Sequence, residues 1–425
     1  SWTFDDIPLD SGLFGEVVAA GIVDSVDDAY RLRDPAAVRA ALDNDSIETS
    51  TTESKSDSRG FNDFSFESLP SRPTLEQLRV PSNLSFFGSI TAVLLLVVLT
   101  RTVFSFGTVF REEHVVFLAN DPFYYAYWLE EILRTDPSLA SFPQSGSGDE
   151  VLLFVTLWAV TLVFGGTQQA ATIVLAWYPV IAAVAIGGLL YLTASTAFSD
   201  RRVGLGAVAM YAVTPMLAYR SALGFADHHA FDYFLLALTV FGVVLLADSD
   251  DEWQTITRRR LVGIVSVALG IAGQVHAWKA GALLVTPLAV YVPLRVFTDL
   301  RAQSSPTREN ARLLAGLGLA AFGAILPYFL FGWSGIVRSV TPLLLFTGSL
   351  LFVIFGAVAK RREIDATTVF GVEISAGLAI AVLVWVVSGA VRSAVTDGIA
   401  QIVRLGEAQI TESLSLFSPQ YGFVL

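Results

Sequence analysis

The chain has 425 residues, of which 53% are hydrophobic and only 16% are charged. A soluble domain carries about a quarter charged residues, so this composition excludes an ordinary soluble protein. Cysteine is absent, which excludes disulfides and thiolate metal sites. The net charge is −12, and the first 80 residues hold 16 acidic and 7 basic side chains. Such acidity is typical either of a halophilic source or of an acidic tail. Because negative charge repels phosphate groups, we also expect no nucleic-acid partner.

Two polar segments precede the apolar part of the chain. Residues 1–43 show weak helical periodicity in "LFGEVVAAGIV" and "DPAAVRAAL", which predicts a small acidic helical segment on the cytoplasmic side. Residues 44–84 are rich in Ser, Thr and Asp, a composition that is typical of a linker.

Apolar runs of roughly 15–25 residues recur over residues 85–391, and runs of that length cross a bilayer as helices. They predict an all-α polytopic membrane protein with about nine spans. The expected spans are 86–106, 173–197, 203–220, 230–247, 261–275, 280–297, 313–331, 341–359 and 369–391.

Basic clusters occupy alternate loops between these spans, at 201–202, 258–260, 301–312 and 360–362. The positive-inside rule places these loops, and the amino terminus, in the cytoplasm. The apolar segment 151–165 has only about 15 residues, too few for a span, and a crossing there would turn every later basic loop outward. We therefore predict that it lies in or dips into the outer interface. The outer loops are then 107–172, 221–229 and a fifth that begins at 392–425.

The stretch "GFADHHAFDYF" places several ionisable groups between two apolar runs. Asp227 and His229, two positions apart, point to the same side of an extended segment, and Gly224 favours such a segment. One carboxylate with one imidazole suits Mg²⁺ or Mn²⁺ better than Zn²⁺. His228 should then point the other way. Alternatively, Asp227 caps a helix starting near Ala230.

Three further acids lie near the predicted outer face. Asp121 opens "DPFYYAYWLEEIL". A structural role as a helix N-cap followed by Pro122 explains this residue as well as a functional role does. Asp232 falls on the first turn of the expected helix, where the helix dipole favours an acid. Glu412 lies in "EAQITESL", about twenty residues beyond the last expected span.

Together these stretches resemble the catalytic subunit of archaeal oligosaccharyltransferases, of the AglB type. The similar motifs are "NDPFYYAYWLEEIL", "YRSALGFADHH", "WYP" at 177–179, Arg101 at the end of the first span, and an Ile-x-Glu in the fifth outer loop. They occur in the same order over residues 85–425. The resemblance implies a GT-C-type glycosyltransferase fold with long outer loops. It also implies further spans and a soluble carboxy-terminal domain with a Trp-Trp-Asp-Tyr-Gly motif beyond these residues.

The resemblance implies a function as well. An oligosaccharide would pass from a dolichyl (poly)phosphate in the cell membrane to Asn of an Asn-x-Ser/Thr sequon. The acceptors would be secreted or surface proteins, modified on the extracellular face.

Site residues follow from the same resemblance. Asp121 corresponds to the first-loop catalytic aspartate, and Glu412 falls in the fifth-loop Thr-Ile-x-Glu motif, whose first Thr is Gln409 here. Asp121, Asp227, His229 and Glu412 would hold Mn²⁺ or Mg²⁺. Arg220 and His228 would contact the donor phosphate.

Two other classes of protein remain open at this stage. Other polyprenyl-phosphate-dependent glycosyltransferases, of the O-mannosyl or aminoarabinose type, often have adjacent acids in the first outer loop, whereas Asn120 and Pro122 flank Asp121. A transporter would carry charges within its spans and symmetry between its halves, and the sequence shows neither.

Overall fold

The computed structural model describes residues 23–26, 29–32 and 83–387, apart from gaps at 113, 145–147, 149, 248–256, 279–280 and 334–335, together with residues 389, 392, 393 and 396. The chain divides into two compact units, Ser1–Arg79 and Val80–Leu425.

In the first unit, the described residues form an antiparallel hairpin. Strand β1 (Val23–Val26) pairs with β2 (Ala29–Leu32), with Val23 opposite Leu32. The predicted helical segment is therefore wrong for these residues, where valine and tyrosine favour a strand. The rest of the predicted segment, and the linker up to residue 82, lie outside the described residues.

The second unit is helical through most of its described part. In chain order its elements are α1 (Asn83–Thr102), α2 (Phe106–Val109), β3 (Phe110–Arg111), β4 (His114–Val115), α3 (Asp121–Thr135), α4 (Val151–Val163), α5 (Gln168–Ala197), α6 (Arg201–Val213), α7 (Pro215–Arg220), α8 (His228–Ala247), α9 (Arg258–Ala277), α10 (Ala282–Val285), α11 (Pro287–Arg301), α12 (Pro306–Phe331), α13 (Ile336–Arg361) and α14 (Ala366–Val387).

Seven helical stretches among the described residues are long and apolar enough to cross a membrane, which confirms a multi-pass membrane protein. They are Phe87–Val109, Gln168–Ala197, His228–Ala247, Arg258–Ala277, Ala282–Arg301, Pro306–Phe331 and Val340–Arg361. The last predicted span, 369–391, falls on α14 (Ala366–Val387), a 22-residue apolar helix, and most of its final residues lie outside the described part of the chain. Helix α4, with 13 residues, is too short to span, as predicted.

The predicted span 203–220 is wrong as a single helix. Helix α6 ends at Val213 and α7 begins at Pro215, with Thr214 extended between them. Proline has no N–H to bond the carbonyl four residues back, here that of Tyr211. The buried Arg101 side chain supplies a donor instead, because its Nη2 lies 3.2 Å from the Tyr211 carbonyl. Because of the break, α7 is a separate six-residue helix that leads directly into the loop 221–227.

The basic loops and the Asp227 region lie at opposite ends of the helix bundle. The Lys360 ammonium donates to the carbonyls of Gln303 and Ser304 at 2.7 and 2.8 Å, which joins the ends of α13 and α11. Helix α12 begins at this end and runs beside α9, whose His276 lies 3.0 Å from the Ala324 carbonyl late in α12. Both helices therefore finish at the far end, where α8 begins.

Candidate functional site

A buried loop, residues 221–227, carries Asp227 to the start of α8. Backbone hydrogen bonds hold it against three other parts of the chain. The Leu223 N–H donates to the Arg101 carbonyl and the Gly224 N–H to the Ala176 carbonyl, both at 2.9 Å, and the Gly224 carbonyl accepts from Leu118 at 3.2 Å. These hydrogen bonds satisfy buried backbone groups of the loop and hold Asp227 in a fixed place.

Gly224 is required in this loop by both conformation and space. Its φ is +80°, and a Cβ there would lie 2.5 Å from Val109 Cγ2. We expect Gly224→Ala to lower the free energy of unfolding by about 2–4 kcal/mol, from left-handed strain and overpacking. Thermal unfolding of the purified protein measures this. Gly188→Ala is the matched control, because nothing lies within 4 Å of that Cβ, and it should be neutral or stabilising.

Asp227, His228 and His229 form a cluster in which one ligand atom from each lies within 4.8 Å of the others. His228 Nδ1 is 2.7 Å from Asp227 Oδ1, and His229 Nε2 is 3.4 Å from Asp227 Oδ2. The Asp227 backbone N–H donates to the Tyr178 hydroxyl at 3.0 Å, which gives the Trp-Tyr-Pro motif a structural role. Arg220 Nη1 lies 3.5 Å from Asp227 Oδ2, and both side chains are buried.

The charge state of Asp227 follows from these contacts. Burial alone would raise the pKa of its carboxyl, but the hydrogen bond from His228 and the charges of both imidazoles hold that pKa below its usual range. The carboxyl is therefore ionised at neutral pH. Since the folded-state pKa is lowered, its contribution to stability is complete above the unfolded value of about 3.9 and is lost only as the pH falls through the lowered value.

The expected direction of His228 is wrong. Helix α8 begins at His228, so the two histidines follow each other at about 100° around a helix rather than on opposite sides of a strand. Their ring centroids lie 4.3 Å apart, and the His228 ring also stacks on Trp278 at 4.8 Å. Asp227 directly precedes this helix, which begins two residues earlier than expected, and its Oδ1 accepts the His228 N–H at 2.6 Å.

Asp232 lies just beyond the first turn of α8, because the helix begins at His228 rather than near Ala230, and it is buried against another helix. Its Oδ1 accepts a hydrogen bond from Gln274 Nε2 at 2.6 Å, and its Oδ2 lies 3.9 Å from His228 Nε2. Gln274 lies near the end of α9 and was not assigned a role from the sequence. Asp232 is thus a neighbour of the cluster.

Two residues that the sequence reasoning did not assign also meet the cluster. The Tyr125 hydroxyl lies 3.2 Å from His228 Nδ1 and 3.5 Å from Asp227 Oδ1. Glu150 Oε1 lies 3.5 Å from the same His228 nitrogen. Tyr125 follows Asp121 by one helical turn, a spacing that could have pointed to it, whereas nothing local to Glu150 indicates its position.

Of the two predicted catalytic acids, the structure describes only Asp121, which is not part of this cluster. Asp121 is exposed at the first turn of α3, whose N-cap is Asn120, so the predicted cap is displaced by one residue. Among the described residues the ligand group contains Asp227, His228 and His229 but not Asp121. Glu412 lies outside the described residues.

The ligand atoms of the cluster fit a divalent cation, but they change the preference between the expected ions Mg²⁺ and Mn²⁺. The sequence suggested a single nitrogen, whereas the cluster offers two imidazoles and a carboxylate. Mixed nitrogen and oxygen donors suit Mn²⁺ or Zn²⁺ better than Mg²⁺, which prefers oxygen alone.

The comparisons with known proteins agree with this architecture. The family model "Oligosaccharyl transferase STT3, N-terminal" matches residues 89–302. A similar curated protein is dolichyl-phosphooligosaccharide-protein glycotransferase 3 of Archaeoglobus fulgidus, 28% identical over 251 residues, which are 54% of this chain and 28% of the relative. Another is dolichyl-monophosphooligosaccharide-protein glycotransferase AglB of Haloferax volcanii, 22% identical over 56% of this chain and 24% of the relative. The chain spans about a quarter of the length of these relatives.

Solved structures show the same fold. The Archaeoglobus fulgidus oligosaccharyltransferase AglB, in complex with an inhibitory peptide and a dolichol-phosphate, matches with a TM-score of 0.60 and 18% identity, over 75% of this chain and 39% of that one. The Archaeoglobus fulgidus oligosaccharyltransferase in complex with Zn and sulfate matches with a TM-score of 0.57 and 21% identity, over 75% and 42%. The fold is therefore the GT-C type. Because the family model covers just over half of the residues, the chain belongs to the oligosaccharyl transferase STT3 family.

Proposed function

We propose that this chain carries the donor-side catalytic centre of a membrane oligosaccharyltransferase. The enzyme moves an oligosaccharide from a dolichyl (poly)phosphate to Asn of an Asn-x-Ser/Thr sequon. The observation that carries the proposal is the cluster of the buried Asp227 with the partly buried His228 and His229, at the bundle end opposite the basic loops. By the positive-inside rule that end faces the exterior, and the amino terminus is cytoplasmic.

The acceptor chemistry calls for carboxylates. A carboxamide nitrogen is a poor nucleophile because its lone pair is delocalised into the carbonyl. Two carboxylates that accept its N–H groups can twist the amide and localise that pair, through interactions that are strongest in the transition state. We assign these roles to Asp121 and Glu412, each of which lies in a predicted outer loop.

The donor chemistry calls for positive charge. Asp227 and His229, with Asp121 and Glu412, would hold Mn²⁺ or Mg²⁺, which when bound would neutralise charge on the departing phosphate. The Arg220 guanidinium lies beside Asp227 and is buried, so its attraction for an anion is little screened by water. We assign Arg220 to the donor phosphate, whereas His228, for which the sequence indicated the same role, lies in one ligand group with Asp227 and His229 and would join the cation site.

A transfer assay with the intact protein tests this function. The purified protein, a dolichyl-phosphate-linked glycan and a sequon peptide should give a peptide with the glycan on Asn, detected by mass spectrometry. A peptide with Gln in place of that Asn is the control and should stay unmodified. Glycan on a Ser or Thr hydroxyl would favour the O-mannosyl-type alternative and contradict the assignment.

Removal of the metal is a separate prediction. A chelator such as EDTA should lower the transfer rate at least about tenfold, because the cluster loses the cation that it binds. Addition of Mn²⁺ or Mg²⁺ in excess should restore it. A rate that is unchanged after exhaustive chelation would contradict metal dependence.

A further inference from the structure

Glu150 brings an acid from the first outer loop to the cluster. It occupies the N-cap position of α4, where its backbone carbonyl accepts from the Phe154 N–H at 3.1 Å. Its side chain makes no capping hydrogen bond. Instead the carboxylate points at the cluster, with Oε1 3.5 Å from His228 Nδ1, and only 12% of the side chain is exposed.

Tyr125 links Glu150 to the histidine. The Tyr125 hydroxyl lies 3.2 Å from His228 Nδ1, the same nitrogen that Glu150 Oε1 approaches to 3.5 Å. Burial and the nearby charges of Glu150 and Asp227 raise the pKa of Tyr125, so its hydroxyl remains a donor. The Tyr125 ring is 3% exposed and stacks on Phe154 at 5.4 Å, which fixes the hydroxyl in place.

Groups from distant helices hold the loop that carries Glu150. The Arg338 guanidinium, from the first turn of α13, donates to the Gly148 carbonyl. Trp333, just after α12, donates from Nε1 to the Leu139 carbonyl at 2.7 Å. Both donors are buried. The approach of Glu150 to the cluster is therefore built into the packing of the bundle.

We propose that Glu150 is a positioning residue of the cation site, which acts with Tyr125 to fix the His228 ring with its Nδ1 facing Asp227. A partner of this kind orients an imidazole and raises its basicity toward a metal. The proposal rests on the proposed function only in requiring that the cluster binds a divalent cation. Under this proposal the carboxylate that the first outer loop brings to the cluster is that of Glu150, whereas Asp121 of the same loop is exposed and lies outside the cluster.

Titration of the purified intact protein with Mn²⁺ alone, followed by calorimetry, tests this role. Glu150→Gln keeps the shape but removes the charge, and should weaken Mn²⁺ binding about 10–100-fold. Glu131→Gln is the matched control, since Glu131 is in the same loop and pairs with Arg134 at the surface. It should leave the Mn²⁺ affinity unchanged. Glu150→Asp, which retains the charge, should bind more tightly than Glu150→Gln.

Combination with Tyr125→Phe separates positioning from general charge. Because the two groups act on His228 together, the double variant should lose less affinity than the product of the two single losses. An affinity of Glu150→Gln within twofold of the wild type, an equal loss in Glu131→Gln, or losses that multiply would each overturn the proposal. Neither glycan nor peptide is present, so a protein that fails the transfer assay still gives a clear answer here.

Discussion

An Asp227→Asn variant of the intact protein is expected to transfer glycan at least about 100-fold more slowly than the wild type, beyond the loss typical of a residue that only orients a metal ligand. The carboxylate is the centre of the cluster, since His228 and His229 both lie within 3.4 Å of it. Asparagine has the same shape but no charge. The initial rate with a sequon peptide and saturating donor measures the effect.

Stability has to be separated from catalysis in this variant. Loss of the Asp227 charge leaves Arg220 buried beside a neutral group, which costs about 3 kcal/mol in the free energy of unfolding. A double variant that adds Arg220→Gln should recover part of that stability and none of the activity. Unfolding should therefore be followed alongside the transfer rate, at a temperature well below the transition of each variant.

Asp200→Asn is the matched control for Asp227→Asn. The Asp200 carboxylate caps α6 by accepting the Arg202 N–H at 2.8 Å, at an exposed position. Asparagine caps a helix equally well, so neither rate nor stability should change. If Asp227→Asn kept more than a tenth of the wild-type rate while Asp200→Asn behaved normally, Asp227 would not be a ligand at the catalytic centre.

Apolar run length alone predicted seven of the spans, because crossing a bilayer leaves little choice but a long helix. It failed at 203–220, where hydropathy averages across Thr214-Pro215. A helix can break there because Arg101, more than a hundred positions earlier in the chain, supplies the missing donor. Such a partner cannot be read from a local window.

The site residues show the same contrast between local and long-range information. Asp227 and His229 are close in sequence, so their proximity was predictable. The direction of His228 depended on the residue at which α8 begins, and helix boundaries are the least certain part of a sequence-based prediction. Glu150 reaches the cluster, and Gln274 reaches its neighbour Asp232, through the packing of α4 and α9, which the sequence pattern does not contain.

Arg101→Met is expected to lower the free energy of unfolding by about 3–5 kcal/mol, because it removes a fully buried charge from its partners. The Arg101 guanidinium donates to the carbonyls of Tyr211 and Ala212 at 3.2 and 3.0 Å, and to Ser221 Oγ at 3.0 Å. Methionine fills similar space but donates nothing, and each buried carbonyl left without a donor costs about 1–3 kcal/mol. Thermal unfolding in detergent, compared with wild type, measures the loss.

The same substitution should also slow glycan transfer, although Arg101 does not touch the cluster. The Arg101 carbonyl and side chain hold both ends of the turn that leads to Asp227, through Leu223 and Ser221. Arg134→Met, at an exposed surface pair, should change neither stability nor rate. Arg101→Lys has a single ammonium group instead of a forked guanidinium, so its stability and its transfer rate should both lie between those of Arg101→Met and the wild type. A normal melting temperature in Arg101→Met would mean that the break at Pro215 needs no outside donor.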